Sequence, residues 1–187
     1  MSESLQLLQS VADGNRKAFQ QLYEMFSEQV YNTALSYVQN VEDAEEVTQD
    51  VFTNVFRSAA RFKGDSQVST WIYRITVNAA LGLIRKRKRF AFLKFGEAEK
   101  EVPDFEHPGI LLENKENAKA LFQVIDTLPE TQKIAFILSF IEGLPRQEVA
   151  NVMEISLKSV EALLQRGKRS LRMKLENSYP NRGKKKR

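Results

Sequence analysis

The chain has 187 residues, of which 42% are apolar and 28% are charged, proportions typical of a soluble globular protein with hydrophobic cores. Because it contains no cysteine, disulfide frameworks, cysteine-ligated zinc and thiol catalysis are excluded. No apolar run has the length of a membrane span, and the N-terminus lacks the pattern of a secretion signal. We therefore expect a cytoplasmic protein without membrane insertion.

The charged residues form blocks, although the net charge is only +4. Residues 61–94 are basic with Asp65 as their single acid, residues 97–130 are predominantly acidic, and the chain is basic again beyond Glu161. Two cationic regions on either side of an acidic spacer favour a polyanion that is held at two separate places. The alternative interpretation is that these charges are solvated helix faces.

Apolar residues recur at helical spacing along almost the whole chain, which predicts an all-α fold. The first helix is expected near residues 5–11 and ends at the Asp13-Gly14 pair, and a second begins at about Arg16. A third helix is expected over residues 42–61. The side chains predicted to face its core are Val47, Val51, Phe52, Val55, Phe56 and Ala59.

The third helix begins with acidic residues. Glu42, Asp43 and Glu46, followed by Gln49 and Asp50, are expected on its surface. Acids in the first turns interact favourably with the positive end of the helix dipole, and this structural role competes with a docking role for the same residues.

A loop is predicted over residues 62–69, because Gly64 and its neighbours favour turns and Ser69 can cap the helix that starts at Thr70. In that helix three polar residues recur at intervals of four and seven and therefore share one face. They are Arg74, Asn78 and Arg85.

Aromatic residues interleave with cations between Phe62 and Phe92, a pattern typical of proteins that stack unpaired bases and follow phosphates. A base rotated out of the duplex also needs a polar pocket, which Asn78 and the Gly64 loop can supply. For Trp71 the competing interpretation is a position in the hydrophobic core.

Glycine and proline residues interrupt the acidic stretch, so we predict a linker over residues 96–111 that joins two small helical domains, at 1–95 and 112–180, ahead of a basic tail at 181–187. In the second domain a helix is expected to close at Leu128-Pro129, and the next one is expected to end at Glu142-Gly143.

A short helix over residues 144–153 and a last helix capped by Ser156 match a helix-turn-helix, with a plain three-helix packing unit as the alternative. In such a motif, exposed polar residues of the second helix meet base edges in the major groove. Arg and Lys address guanine, Gln addresses adenine, and Glu accepts from cytosine. The residues predicted for this surface are Ser156, Lys158, Ser159, Glu161, Ala162, Gln165, Arg166 and Arg169.

Catalysis finds little support in the sequence. The single histidine, His107, lies beside Pro108 in the predicted linker, and no Ser, Cys or paired carboxylate stands at a motif spacing from it. The chain also lacks a glycine-rich phosphate loop. We therefore expect no enzyme activity, no catalytic residue, no metal site and no cofactor.

Four segments spread over most of the chain carry a resemblance to one protein family. They are residues 15–23 (NRKAFQQLY), 42–52 (EDAEEVTQDVF), 62–78 (FKGDS followed by TWIYRITVN) and 128–169. Together they resemble the extracytoplasmic-function (ECF) sigma factors of bacterial RNA polymerase, and this combination is far more specific than a single helix-turn-helix.

The resemblance implies that residues 1–95 form sigma region 2, which binds core RNA polymerase and opens the −10 promoter element. Residues 112–180 would form the region 4 helix-turn-helix, which reads duplex DNA at the −35 element. The acidic linker would thread the polymerase where RNA later exits. Core polymerase, through its clamp coiled coil and its flap, and promoter DNA, duplex and single-stranded, are the implied partners, and an anti-sigma factor is a further expected one.

The resemblance also assigns site residues. The clamp coiled coil would meet Asp43, Glu46, Gln49 and Asp50. The −10 element would meet Phe62, Lys63, Gly64, Asp65, Ser66, Trp71, Tyr73, Arg74, Asn78 and Arg85, with the loop over residues 62–69 receiving a flipped base.

Three positions depart from the usual pattern of the family. Gly82 replaces an acid, Glu154 replaces a turn glycine, and Glu161 replaces a basic residue of the recognition helix. A glutamate at position 161 repels phosphate but accepts a hydrogen bond from cytosine, so the −35 preference is the property least transferable from the family. The competing function is a stand-alone helix-turn-helix regulator that binds duplex DNA without polymerase.

Overall fold

The structure is a computed structural model that describes residues 2–95 and 115–178, and within these ranges every regular element is helical. The chain divides into two compact units, Met1–Pro108 and Gly109–Arg187. The expectation of an all-α fold with two helical domains is confirmed. The predicted linker, His107 and the basic tail lie outside the described residues. No helix in the described ranges is long and apolar enough to cross a membrane.

The first unit is a bundle in which three long helices pack against one another and a shorter one lies against the second. Its elements are α1 (Glu3–Ala12), α2 (Arg16–Val38), α3 (Val41–Ser58), a 3₁₀ turn (Ala59–Arg61) and α4 (Val68–Phe95). The core includes Leu22, Val30 and Leu35 of α2, Val47, Val51 and Phe52 of α3, and Ile72 and Ala80 of α4.

Side-chain caps define where α2 and α3 begin. The Asn15 side chain accepts hydrogen bonds from the N–H groups of Lys17 and Ala18, at 3.0 and 3.1 Å. Asn40 accepts one from the N–H of Asp43 at 2.9 Å. These bonds satisfy donors that have no partner within the helix. Between the two helices Gln39 takes a left-handed conformation, which reverses the chain into an αα-hairpin.

The sequence prediction for α3 was wrong at Phe56. Val47, Val51 and Val55 lie on the buried stripe of the helix, whereas Phe56 lies at the edge of that stripe and is 44% exposed. Its ring makes an edge-to-face contact with Phe19, with centroids 5.3 Å apart. An apolar spacing that fits a helix therefore does not decide how wide the buried stripe is.

The start of α4 also differs from the prediction. The helix begins at Val68, two residues before Thr70, so Ser69 lies inside the first turn and does not cap the helix. Val68 is buried and ties this first turn to the core. Burial of this apolar side chain thus contributes to where the helix begins.

The second unit packs its last helix, α8, against the three helices before it. Its elements are α5 (Lys115–Ile125), α6 (Glu130–Phe136), a π-helical turn (Ile137–Ile141), α7 (Arg146–Met153) and α8 (Leu157–Ser178). Phe122, Ile125, Ile137, Leu138, Val149 and Val160 form the centre of its core. Gly143 is left-handed, with φ of 69°, and this confirms the helix end that was predicted at Glu142-Gly143.

The contrast between Phe52 and Phe56 gives a matched test of the first core. Phe52→Ala should lower the free energy of unfolding of the first unit by about 3–5 kcal/mol, because it removes a buried ring. Phe56→Ala should cost much less, since that ring is half exposed. Urea unfolding followed by fluorescence of Trp71, the single tryptophan, reports on the first unit alone. Equal costs for the two substitutions would contradict the packing described above.

Candidate nucleic-acid interfaces

The polar face of α4 is the first candidate surface. Asn78 and Arg85 are exposed, and Arg74 is half buried at the other end of the row. At 1.5 Å per residue the row extends roughly 16 Å along the helix. It continues into an exposed run of five cations over residues 85–89. The face offers one amide and two guanidinium groups to a nucleic acid, and the run over residues 85–89 adds cations around the helix.

Tyr73 does not belong to this face. The residue is buried, on the same side of α4 as Val77 and Ala80, because positions 73, 77 and 80 follow the helical spacing of the core stripe. The prediction that Tyr73 is available to DNA is therefore wrong for its ring. The sequence misled because an aromatic between Trp71 and Arg74 fits the interleaved pattern and the core stripe equally well.

The loop before α4 has an open side. Lys63, Gly64 and Asp65 are exposed, and Ser66 is half buried. Gly64 has φ of 78°, a conformation that strains residues with a side chain. Nothing lies within 4 Å of the place where a Cβ would be. The backbone here is thus open to a bound group.

Phe62 and Trp71 form an aromatic pair beneath this loop. Both are half buried, and their ring centroids are 5.2 Å apart with a tilt of 53° between the ring planes. Trp71 is therefore neither fully buried in the core nor fully exposed. One part of the ring packs against Phe62 and the rest reaches solvent.

The polar face of α3 lies away from the core. Glu46, Gln49 and Asp50 are exposed, and their spacing of three and four residues puts them side by side. Glu42 and Glu45 are exposed on the same helix. This face is acidic, so it is suited to a cationic protein surface and not to phosphate.

Asp43 was predicted on this acidic surface, and that prediction is wrong. Its side chain is 4% exposed and forms an ion pair with Arg87 of α4. A buried carboxylate without a partner is costly, so the pairing follows from the burial. The sequence could not show it, because the two residues lie 44 positions apart and no local spacing links them.

The turn between α7 and α8 has the geometry of a helix-turn-helix. Glu154 ends α7 in a left-handed conformation with φ of 55°. This conformation is unusual for a residue that has a side chain. The N–H of Ile155 then donates to the carbonyl of Ala150 at 3.1 Å. Ser156 Oγ accepts from the N–H of Ser159 at 3.1 Å, which confirms Ser156 as the cap of α8.

The start of α8 presents a row of polar side chains. The exposed residues of this recognition surface are Ser156, Lys158, Ser159, Glu161, Gln165, Arg166 and Arg169, and Ala162 is half buried among them. Glu161 forms an ion pair with Arg146 of α7 at 3.6 Å. Arg166 turns its Nε back to the carbonyl of Ala162 at 3.2 Å. Both charges are thus partly oriented before any ligand binds.

An apolar groove was missed by the sequence analysis. It has a volume of about 360 Å³ and is lined by Leu121, Phe136, Phe140, Lys168, Leu171, Arg172 and Leu175. Phe140 is 42% exposed, and Lys168 Nζ lies 4.4 Å from the centre of its ring, in a cation–π contact. The sequence could not predict the groove, because the residues that line it come from separate helices that only the fold brings together.

Known families match both units of the chain. Residues 22–90 match the Sigma-70 region 2 model, and residues 118–171 match the Sigma-70, region 4 model. The chain is 28% identical to the ECF RNA polymerase sigma-E factor of Escherichia coli (strain K12), covering 94% of this chain and 97% of the relative. It is 25% identical to the ECF RNA polymerase sigma factor SigW of Bacillus subtilis, covering 91% and 95%.

Solved structures share the fold. The structure of CnrH in complex with the cytosolic domain of CnrY has a TM-score of 0.70 at 22% identity, covering 94% of this chain and 99% of that one. RpoE of Bartonella quintana, in complex with the anti-sigma factor NepR, has a TM-score of 0.69 at 19% identity, covering 86% and 98%.

A chain that carries region 2 and region 4 in this order, on two helical units, is a sigma factor of bacterial RNA polymerase. Among the sigma factors it belongs to the extracytoplasmic-function family. The resemblance found in the sequence is thereby confirmed, and the family consists of transcription initiation factors and not of enzymes. In the described part of the chain no cluster of residues is suited to hold a metal ion.

The cap at Ser156 yields a prediction for the recognition helix. Ser156→Ala should destabilise the first turn of α8 by about 1 kcal/mol, because the N–H of Ser159 loses its acceptor. Ser156→Asp should keep the cap and serves as the control. Hydrogen exchange of the amides at the start of α8 measures the effect. Unchanged exchange in the alanine variant would show that the cap contributes nothing.

Proposed function

We propose that this protein is a promoter-specificity subunit that binds core RNA polymerase, directs it to a set of promoters and helps to open the −10 element. The proposal rests on one observation, which is that both sigma regions occur in one chain. The first unit has an exposed basic face, and the second has a capped recognition helix. Strand opening would draw on binding energy, and the chain itself would catalyse no reaction.

The −10 element would lie along α4. Arg74 and Arg85 would follow phosphates, and the exposed amide of Asn78 would meet a base edge. The open backbone at Gly64, with Lys63, Asp65 and Ser66 around it, is the proposed receptor for a flipped base. The half-exposed ring of Trp71, supported by Phe62, would offer a stacking surface beside it.

Core polymerase would meet two separate surfaces. The acidic face formed by Glu46, Gln49 and Asp50 would bind the clamp coiled coil, with long-range attraction to cationic groups. The apolar groove beside Phe140 is the proposed site for the flap, because an exposed aromatic ring in a concave apolar surface suits the apolar face of a helix. On the first unit, polymerase would thus bind an acidic surface and DNA would bind a basic one.

The −35 element would meet the recognition surface of α8. Lys158, Arg166 and Arg169 are cations suited to phosphate or guanine, and Gln165 is suited to adenine. The ion pair with Arg146 partly neutralises Glu161, which lowers the repulsion between this carboxylate and the DNA backbone. Glu161 is then the proposed acceptor for a cytosine amino group.

An anti-sigma factor is a further proposed partner. The fold relative RpoE of Bartonella quintana is seen in complex with the anti-sigma factor NepR. A protein that covered the acidic face of α3 or the apolar groove would compete directly with polymerase. Because the polymerase is the partner in function, we also place the protein in the cytoplasm.

Run-off transcription on fragmented genomic DNA tests the proposed function. Core RNA polymerase from the source bacterium is assayed with and without the protein. We expect new, defined start sites that depend on the protein, each preceded by a shared −10 and −35 pattern. Tight duplex binding by the protein alone, with no change in transcription, would favour the stand-alone regulator.

Two substitutions should separate promoter opening from polymerase binding, and each is the control for the other. Asn78→Ala should impair opening, measured by permanganate reactivity of unpaired thymines, and leave core affinity unchanged. Asp50→Arg should weaken core binding, measured by fluorescence anisotropy, because it reverses a charge on the acidic face. Normal opening by Asn78→Ala would remove Asn78 from the proposed base contact.

A further inference from the structure

Arg146 and Glu161 form an ion pair between the two helices of the helix-turn-helix, with Nη1 of the arginine 3.6 Å from Oε1 of the glutamate. Arg146 is the first residue of α7, and Glu161 lies one turn into the recognition helix α8. Both side chains are more than half exposed, at 55% and 52%. A cation at the N-terminal end of a helix is opposed by the helix dipole, so the stability of α7 does not explain this arginine. Its favourable interaction is the one with α8.

Glu161 stands in the middle of the recognition surface. Lys158 precedes it by three residues and Gln165 follows it by four, so the three side chains are neighbours on one face of α8. A glutamate has a long side chain, and ordering it on a base edge costs conformational entropy. The phosphates of DNA also repel its carboxylate. Two effects therefore oppose the contact that the proposed function assigns to Glu161.

We infer that Arg146 is a specificity-determining residue of the −35 contact, which holds the Glu161 carboxylate where it accepts a hydrogen bond from a cytosine amino group. The inference rests on the proposed function, and it adds a residue of α7 to a surface otherwise formed by α8. The ion pair orders the glutamate before DNA binds, so less entropy is lost in the complex. The positive charge of Arg146 also offsets the repulsion by phosphate. Because bound DNA excludes water, the pair is stronger in the complex than in the free protein.

Two other roles of Arg146 lead to different results. The first helix of a helix-turn-helix crosses the DNA backbone, and an arginine that only bound a phosphate there would support all sequences equally. An arginine that held Glu161 away from the base would weaken the preference for cytosine, so its removal would sharpen that preference. If Arg146 positions Glu161, its removal lowers the preference at one base pair and leaves the others unchanged. The base dependence of the effect therefore distinguishes the three roles.

The experiment uses polymerase holoenzyme made with each variant and a promoter fragment obtained from the run-off assay. Competition binding gives the relative affinity for this promoter and for every single-base change in its −35 element. Glu161→Ala identifies the base pair that Glu161 reads, where we expect the preference for cytosine to fall by about tenfold. Arg146→Ala should lower the preference at the same base pair by about three- to fivefold, the upper range for an exposed ion pair. Preferences at the other base pairs should stay unchanged.

The double variant tests whether Arg146 acts through Glu161. In a Glu161→Ala background, Arg146→Ala should have no further effect on the preference at that base pair. Gln147→Ala is the matched control, because Gln147 is the next residue of α7, is exposed, and donates to Asn151 of the same helix at 3.3 Å. This control should leave every preference unchanged. All the substituted side chains are exposed, so we expect each variant to fold, and circular dichroism during heating checks this.

Three results with Arg146→Ala would overturn the inference. They are an unchanged or sharper preference at the base pair that Glu161 reads, an equal loss of affinity for all −35 sequences, and an undiminished effect on the preference in the Glu161→Ala background. Unchanged preferences in Glu161→Ala itself would also overturn it, because Arg146 would then have no base contact to position. Failure of the wild-type holoenzyme to select a promoter would instead count against the proposed function itself.

Discussion

The mutual burial of one apolar stripe on each of α2, α3 and α4 is the constraint on which the first unit depends. On α3 and α4 one face packs into the core and most of the remaining surface faces solvent. On α3 that remainder is acidic, and on α4 it is basic. The hydrophobic effect, which has no direction of its own, thus separates two oppositely charged surfaces on one small bundle.

The ion pair of Asp43 with Arg87 is an exception to this separation of charge on the first unit. It pairs a buried acidic residue of α3 with a half-exposed basic residue of α4, at the edge of the core. Such a pair contributes little net stability compared with apolar packing, but removal of one partner is costly. The pair connects the start of α3 to the basic segment of α4.

In the second unit, apolar packing and a side-chain cap together hold the recognition helix α8 in place. Val160 and Leu164 hold α8 against the core, and Ser156 completes its first turn. The exposed residues of the recognition surface are then held on a rigid helix, which lowers the entropy lost on binding DNA. The left-handed Glu154 shows that the turn tolerates a non-glycine residue when both flanking helices are well packed.

The sequence alone determined the helical class, the two-domain organisation, the helix-turn-helix and the family, because these depend on local periodicity, caps and turn residues. Gly143 and Ser156 act as the sequence predicts. Only the tertiary structure decided which side of each stripe is covered: it exposed Phe56, buried Tyr73 and Asp43, and assembled the groove around Phe140. Those outcomes depend on neighbours that are distant in the chain, and helical spacing carries no information about them.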